Sequence, residues 1–120
     1  MQRLKEKKML TIYHNPRCSK SRQTLQLIEA ENKKVTIVEY LKTPLNKVEV
    51  EQLVSLLAIK PIEMMRVKEK EFIEQDLKSA SDEQLILAMV NTPKLIERPI
   101  VTYNDKAVIG RPPENVLTLF

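Results

Sequence analysis

The chain has 120 residues, which is enough for one compact domain with a hydrophobic core and too few for two domains of ordinary size. Its net charge of +4 is modest, and the basic residues are spread along the chain rather than gathered in the stripe expected of a nucleic-acid-binding protein. No apolar run approaches the roughly 20 residues that span a bilayer, and no signal peptide is evident. We therefore expect a cytoplasmic protein that binds neither nucleic acid nor a membrane.

A strand, a helix and a second strand are predicted near the start of the chain. Residues 1–8 are almost all polar, and we expect a flexible leader there, with Met9 an equally acceptable start. The β-rich run 9–14 stops at an Asn-Pro pair and predicts the first strand. Apolar residues at helical spacing over 19–31 predict a helix, and the β-branched run 35–40 predicts the second strand. This order, within about 30 residues, is typical of a βαβ unit with parallel strands.

The middle of the chain is predicted to be helical. Asn46 and Glu49 have the spacing of a capping box, and apolar residues at helical spacing follow them. Ser81 and Gln84 have the same spacing before the last segment of this part. The other helical segments are predicted at 62–65, 69–77 and 81–91. We place this helical insertion at about 44–92.

Two strands and a short helix are predicted after the insertion. The strands lie at 99–102 and 107–109, with a tight turn between them, and the helix lies at 114–120. Gly110 is the only glycine, and it stands after the second of these strands, where a sharp change of direction suits a residue without Cβ. The predicted order is βαβ, helical insertion, ββα, which indicates an α/β protein.

The only cysteine, Cys18, is predicted to follow the first strand at the start of the first helix. Free backbone N–H groups and the helix dipole favour the thiolate at such a position. Arg17, Lys20 and Arg22 are expected to act in the same direction. We therefore expect the pKa of Cys18 to be lowered into the range of reactive cysteines, with an inert structural cysteine as the alternative.

The motif around Cys18 is C-x-x-S, and the chain has no second cysteine. Ser21 cannot act as a resolving thiol, although its hydroxyl can donate a hydrogen bond to the thiolate. Any redox chemistry at Cys18 must therefore use a thiol from another molecule. Neither a cluster of metal-ligating residues nor a glycine-rich phosphate loop is present in the sequence, so we expect no bound metal, flavin or other cofactor.

Three separated motifs resemble the glutaredoxin-linked arsenate reductase family. They are YHNPRCSKSR at 13–22, RPI at 98–100 and GRPPE at 110–114. The resemblance covers 9–120 and implies a single thioredoxin-like domain, with a small mixed four-stranded sheet and the helical insertion. It also implies that Cys18 attacks arsenate, that glutathione is the co-substrate, and that glutaredoxin reduces the adduct to release arsenite.

The same resemblance implies an oxyanion site. Arg66, Arg98 and Arg111 match the three arginines that bind the oxyanion in this family, and a planar bidentate guanidinium suits a tetrahedral dianion. A solvated surface arginine is the alternative for each of them, above all for Arg66. Pro99 matches the cis-proline that thioredoxin-like folds place opposite the active-site cysteine.

Two further residues before Cys18 are candidates for the site. In this family His14 would lie close to the sulfur and favour the thiolate, and the alternative is a histidine at a strand end with a structural hydrogen bond. Asn15 is predicted to shape the loop between strand and helix, because an Asn-Pro pair favours a turn.

Two other functions remain open. A Spx-like redox regulator that binds RNA polymerase has the same fold, but this class usually carries C-x-x-C and lacks the His-Asn-Pro run and the Gly-Arg-Pro turn. We therefore place the sequence with the reductases. A reductase-like thiol oxidoreductase with another substrate is the third interpretation, because the sequence lacks, after Phe120, the C-terminal extension of the longer reductases.

Overall fold

The structure is a computed structural model that describes residues 9–120. The predicted leader at 1–8 lies outside the described residues. The described chain divides into two compact units, one made of the residues up to 38 together with 98–120 and the other of residues 39–97. The predicted helical insertion falls within the second unit.

The first unit is built on a four-stranded sheet. Its elements are β1 (Leu10–Tyr13), α1 (Ser19–Ala30), β2 (Thr36–Val38), β3 (Ile100–Tyr103), β4 (Lys106–Ile109) and a closing 3₁₀ helix (Pro113–Leu119). The strand order is β2-β1-β3-β4, with β1 parallel to β2 and both other pairs antiparallel. This confirms the predicted mixed four-stranded sheet. The last helix is 3₁₀ rather than α.

The core of this unit lies between the sheet, α1 and the closing 3₁₀ helix. Alternate residues of β1 are buried, and α1 buries Ser21, Thr24 and Ile28, which share one face of the helix. Aliphatic side chains from all three layers fill the space, and each contributes roughly 1.5–3 kcal/mol by leaving water. They are Leu10, Ile12, Ile28, Val101, Val116 and Leu119.

The second unit is helical, as predicted. Its elements are a 3₁₀ turn at Pro61–Met64, another at Pro93–Leu95, and the helices α2 (Lys47–Leu57), α3 (Lys70–Glu74) and α4 (Asp82–Asn91). Both predicted capping boxes are confirmed, since the side chains of Asn46 and Ser81 accept from the backbone N–H three residues on, at 2.8 and 3.2 Å. None of the helices in 9–120 is long and apolar enough to cross a membrane.

Helix α3 is shorter than the predicted segment 69–77 because the chain turns out of it. Asp76 adopts the left-handed conformation with a φ of 55°, and its N–H donates to the carbonyl of Ile73. The N–H of Leu77 donates to the carbonyl of Phe72 at 3.2 Å. This pair of bonds is the Schellman pattern that ends helices.

Candidate active site around Cys18

Cys18 is the N-cap residue of α1, and its side chain is nearly buried, with 9% of its surface exposed. Its carbonyl accepts from the N–H of Arg22 at 3.0 Å and so begins the helix. Its own N–H donates to the carbonyl of Asn15 at 3.0 Å, and the side-chain oxygen of Asn15 accepts from the N–H of Arg17 at 3.0 Å. Asn15 therefore shapes the tight loop between β1 and α1.

The environment of Cys18 favours its thiolate. Burial by itself raises the pKa of the thiol, but the hydrogen bond and the positive charge of Arg98 lower it. The backbone N–H groups of Ser21 and Lys20, in the first turn of α1, also lower the pKa. The net result is a pKa below its ordinary value, in the direction expected from a helix N-terminus.

The basic side chains that neighbour Cys18 in sequence do not lower its pKa as the sequence predicted. The side chains of Arg17, Lys20 and Arg22 are exposed and are not among the groups that lower the pKa of Cys18. The guanidinium of Arg22 instead donates to the carbonyl of Pro16 at 3.0 Å. The positive charge at the sulfur therefore comes from Arg98, a residue far away in sequence.

His14 and Ser21 form a buried pair beside the loop. Nδ1 of His14 lies 2.6 Å from Oγ of Ser21, and the N–H of Asn15 donates to the same oxygen at 3.0 Å. The hydroxyl of Ser21 is engaged in these two contacts, and its donation to the thiolate stays a prediction. His14 is joined to the first turn of α1 through Ser21, and its effect on the thiolate stays a prediction.

Arg98 and Pro99 lie just before β3. The Arg98–Pro99 peptide bond is cis, as the family resemblance implies, and the carbonyl of Pro99 accepts from the N–H of Gly110 at 2.9 Å. Arg98 is half-buried, and its guanidinium lowers the pKa of Cys18 by hydrogen bonding and by its positive charge. Nε of Arg98 is buried and has no hydrogen-bond partner among the described residues. One nitrogen of this cation is therefore still available as a donor.

Arg111 meets Arg98 at the end of the sheet. Its side chain is exposed, and Nη1 donates to the backbone carbonyl of Arg98 at 3.0 Å. The Arg111–Pro112 peptide bond is also cis, which nothing in the sequence predicted. Arg98 thus acts on the pKa of Cys18, and Arg111 is hydrogen-bonded to Arg98.

Position 110 requires glycine for a different reason from the one predicted. It does not adopt a positive φ, so the turn itself does not require glycine. A Cβ at this position would lie 2.6 Å from Oγ1 of Thr24 and 2.9 Å from Cγ of Pro99. The glycine is required because β4 ends in close contact with α1 and with the loop before β3, and no local pattern in the sequence indicates this contact.

Within residues 9–120, no group of three or more His, Cys, Asp or Glu side chains could hold a metal ion. The site is instead a nearly buried thiol whose pKa is lowered by one cation, Arg98, and by backbone N–H groups of α1. A family model for the ArsC family matches residues 13–119. The chain belongs to the ArsC family.

Several relatives support membership of the ArsC family along almost the whole chain. A protein named arsenate reductase from Neisseria meningitidis Z2491 is 40% identical over 110 residues, covering 89% of this chain and 94% of the relative. The uncharacterized protein YfgD of Escherichia coli K12 is 49% identical over 115 residues, covering 93% and 97%. A solved structure named arsenate reductase from Vibrio cholerae is 43% identical, with a TM-score of 0.90 over 93% of this chain and 98% of that one. The fold is thus the thioredoxin-like fold of ArsC proteins.

The remaining arginine implied by the resemblance to ArsC proteins, Arg66, lies in the second unit. Nη2 of Arg66 is 2.8 Å from Oε2 of Glu69, and both side chains are about one-fifth exposed. Nζ of Lys94 lies 3.5 Å from the other oxygen of Glu69. The N–H of Arg66 donates to the carbonyl of Leu95 at 2.7 Å. Arg66 is therefore paired with a carboxylate, a contact that the sequence analysis did not predict.

Proposed function

We propose that this ArsC-family protein is an arsenate reductase that acts through the thiolate of Cys18, with glutathione as co-substrate and glutaredoxin as the final reductant. The observation that carries the proposal is the position of Cys18 as the N-cap residue of α1, where Arg98 and the backbone N–H groups of the first turn lower the pKa of its thiol. This arrangement stabilises a nucleophilic thiolate and also supplies donors for a neighbouring anion. Relatives named arsenate reductase at 40% and 41% identity support the choice of substrate.

Arsenate would be held by donors that this part of the chain already presents. Nε of Arg98 is buried without a partner among the described residues, and Arg111 uses one nitrogen on the Arg98 carbonyl and keeps others for a ligand. A guanidinium carries five N–H donors in a planar fork, which fits two oxygens of a tetrahedral oxyanion. We assign Arg66 as the third oxyanion-binding arginine on the family resemblance alone.

The first step forms a bond between sulfur and arsenic. The Cys18 thiolate attacks arsenic(V), and one oxygen of arsenate leaves as hydroxide, which is protonated to water. Arg98 would stabilise the thiolate before the attack and the oxyanion after it, because a fixed positive charge acts on both. A glutathione thiol then displaces a second oxygen, again as water, so that arsenic(V) carries both sulfurs.

Reduction follows at the glutathione sulfur. A thiolate of glutaredoxin attacks that sulfur and forms a disulfide, and the electron pair of the broken sulfur–arsenic bond stays on arsenic, which becomes arsenic(III). Water then hydrolyses the remaining bond to Cys18, releasing arsenite and the starting thiolate. Arsenate and two thiols thus give arsenite, one disulfide and one water. The second and third thiols must come from outside, because Cys18 is the only cysteine.

This scheme implies where the protein works and what it carries. A supply of reduced thiols is a property of the cytoplasm, so we propose a cytoplasmic location. The scheme uses no resident metal or organic cofactor, since the electrons are delivered by glutathione and glutaredoxin.

A coupled assay tests the proposal. Purified protein is mixed with arsenate, glutathione and glutaredoxin, and the disulfide formed is followed through NADPH oxidation by glutathione reductase. We expect turnover that depends on arsenate and is abolished in Cys18→Ser. Arg111→Ala should raise KM for arsenate. Lys34→Ala, a substitution of an exposed residue in the same unit, should leave kcat and KM unchanged. Absence of arsenate-dependent turnover with every other component active would overturn the assignment.

A reductase-like thiol oxidoreductase with another substrate is the second candidate. The observation in its favour is that YfgD, at 49% identity, is named only as uncharacterized, whereas the relatives named arsenate reductase are 41% and 40% identical. Two results together would favour this candidate. Cys18 would form a mixed disulfide with glutathione that glutaredoxin reduces, and the protein would produce no arsenite from arsenate. A Spx-like regulator would instead bind RNA polymerase in a pull-down, and we expect no such binding.

A further inference from the structure

Beyond the last residue pair of the β3–β4 ladder, the two segments are joined by one backbone hydrogen bond and then by one hydrogen bond from a side chain. Within the sheet, Ile100 pairs with Ile109. One step further, the N–H of Gly110 donates to the carbonyl of Pro99 at 2.9 Å. After that, the bond is made by a side chain, since Nη1 of Arg111 donates to the carbonyl of Arg98 at 3.0 Å.

The backbone cannot make this last bond. The N–H of Arg111 already donates to the carbonyl of Ile109 at 2.9 Å, and Pro112 has no N–H to offer. Pro99 likewise has no donor that could hold this segment from its own side. The guanidinium of Arg111 thus donates to the Arg98 carbonyl at a position of the antiparallel ladder where opposite residues do not exchange backbone hydrogen bonds.

The carbonyl that receives this bond belongs to the residue that contacts the thiol. The guanidinium of Arg98 acts on the Cys18 thiol and lowers its pKa, and the orientation of this guanidinium depends on the backbone from which the side chain begins. We propose that Arg111 is a positioning residue for Arg98, holding its backbone so that the guanidinium of Arg98 reaches Cys18. The inference concerns the Cys18 site of the proposed function and to that extent rests on it, but it does not require arsenate to be the substrate.

The action of Arg111 on Cys18 passes through Arg98. Burial raises the pKa of Cys18, and the bond and charge of Arg98 lower it, together with two backbone N–H groups, whereas Arg111 is not among the contributing groups. Loss of the Arg111 charge alone should therefore change little at the sulfur. Loss of its hydrogen bond should free the Arg98 backbone and weaken the contact of Arg98 with the thiolate.

The test is the titration of Cys18 in the reduced protein without arsenate, followed by the ultraviolet absorbance of the thiolate and by the pH dependence of alkylation with iodoacetamide. The chain has one cysteine, so the signal belongs to Cys18 alone. In Arg111→Ala we expect the proton affinity of the thiolate to rise roughly threefold to tenfold, as for the loss of one hydrogen bond. Arg111→Lys, which keeps a donor and the charge, should recover part of this change.

A double-mutant cycle identifies the route. Arg98→Ala should raise the proton affinity more than Arg111→Ala does, and the double variant should titrate like Arg98→Ala alone. Arg17→Ala removes the same charge next to Cys18 in sequence and should titrate as the wild type, because this exposed side chain is not among the groups acting on the thiol. If circular dichroism shows that the Arg111→Ala variant is unfolded, the cycle is run with Arg111→Lys.

The outcomes separate this inference from the proposed function. A wild-type titration in folded Arg111→Ala, or effects of Arg98 and Arg111 that add fully, would overturn the positioning role. Either result is obtained without arsenate, so it leaves the reductase assignment standing. Conversely, an absence of arsenate turnover in the coupled assay, together with the expected titrations, would reject the substrate and keep the role of Arg111.

Discussion

Nδ1 of His14 lies 2.6 Å from the hydroxyl oxygen of Ser21, and both side chains are buried. The same oxygen accepts from the N–H of Asn15 at 3.0 Å. These two contacts join the residues that follow β1 to the first turn of α1, next to the loop that leads to Cys18. Which of the two side chains donates depends on the tautomer of His14.

Ser21→Ala should destabilise the protein by about 1–3 kcal/mol, since the buried N–H of Asn15 and the His14 ring both lose this bond. The free energy of unfolding, measured with urea and circular dichroism, checks the value. Ser19→Ala is the matched control, because Ser19 is exposed in the same turn of α1 and its loss should change stability by less than about 0.5 kcal/mol. Equal effects of the two substitutions would contradict the structural role of Ser21.

The lowered pKa of Cys18 also predicts how stability varies with pH. Burial raises the pKa, but Arg98 and the backbone donors of α1 lower it more, so the folded state binds the thiol proton less tightly than the unfolded state. The contribution of Cys18 to stability is then fully present above the pKa of an unfolded cysteine, about 8.5, and is lost as pH falls through the folded pKa.

Comparison of the wild type with Cys18→Ser isolates this contribution, because serine does not titrate in the range. The difference in unfolding free energy between the two proteins should increase with pH below about 8.5 and then level off. It is measured by urea unfolding at a series of pH values with a reducing agent present. A difference that stays constant or falls with pH would mean that the folded environment does not favour the thiolate.

The parts of the structure that sequence predicted are those encoded by local spacing. The capping boxes at Asn46 and Ser81 depend on residues three positions apart, so the pattern alone reveals them. The placement of Cys18 at a helix N-terminus also follows from the order of strand, Asn-Pro pair and apolar helix face. The mixed sheet followed from this same order once the family resemblance supplied the fold.

The contacts that sequence did not predict join distant segments through the sheet. Arg98 acts on Cys18 because β3 pairs with β1, whereas the side chains of the nearer basic residues are exposed and do not lower the pKa of the thiol. Gly110 packs on Thr24 because β4 ends over α1. Neither contact has a signature in the spacing of residues, since both depend on which elements become neighbours after folding. The same limit applies to the carboxylate that pairs with Arg66.

The Arg66–Glu69 pair should contribute measurably to stability, in contrast to a similar pair on the surface. Its atoms are 2.8 Å apart and its side chains are about one-fifth exposed, so water screens it less than an exposed pair. A double-mutant cycle of Arg66→Gln and Glu69→Gln by urea unfolding should give a coupling of roughly 0.5–1 kcal/mol.

The pair Glu39–Lys42 provides the control for this cycle. It has the same spacing in sequence, but its atoms are 3.3 Å apart and the Lys42 side chain is 80% exposed. Its coupling should be close to zero, as for many exposed ion pairs. A larger coupling at Glu39–Lys42 than at Arg66–Glu69 would show that burial does not decide the strength of these pairs.

Gly110→Ala should destabilise the protein by about 1–3 kcal/mol, the usual cost of overpacking. The added Cβ would lie 2.6 Å from Oγ1 of Thr24 and 2.9 Å from Cγ of Pro99, both distances shorter than normal contact. Since Gly110 does not adopt a positive φ, backbone strain is not the cause, and removal of the contacted atoms should restore part of the loss. Thermal and urea unfolding measure the effect.

Thr24→Ala tests this explanation, because it removes the nearest atom that the new Cβ would contact. Alone it should be destabilising, since Oγ1 of Thr24 donates to the carbonyl of Lys20 at 2.8 Å and the side chain is fully buried. In the double variant the methyl group added at position 110 would occupy space that the shorter side chain leaves, so the combined loss should be smaller than the sum of the single losses. The recovery should remain incomplete because Pro99 still lies in contact. Strict additivity would mean that Thr24 does not set the requirement for glycine at position 110.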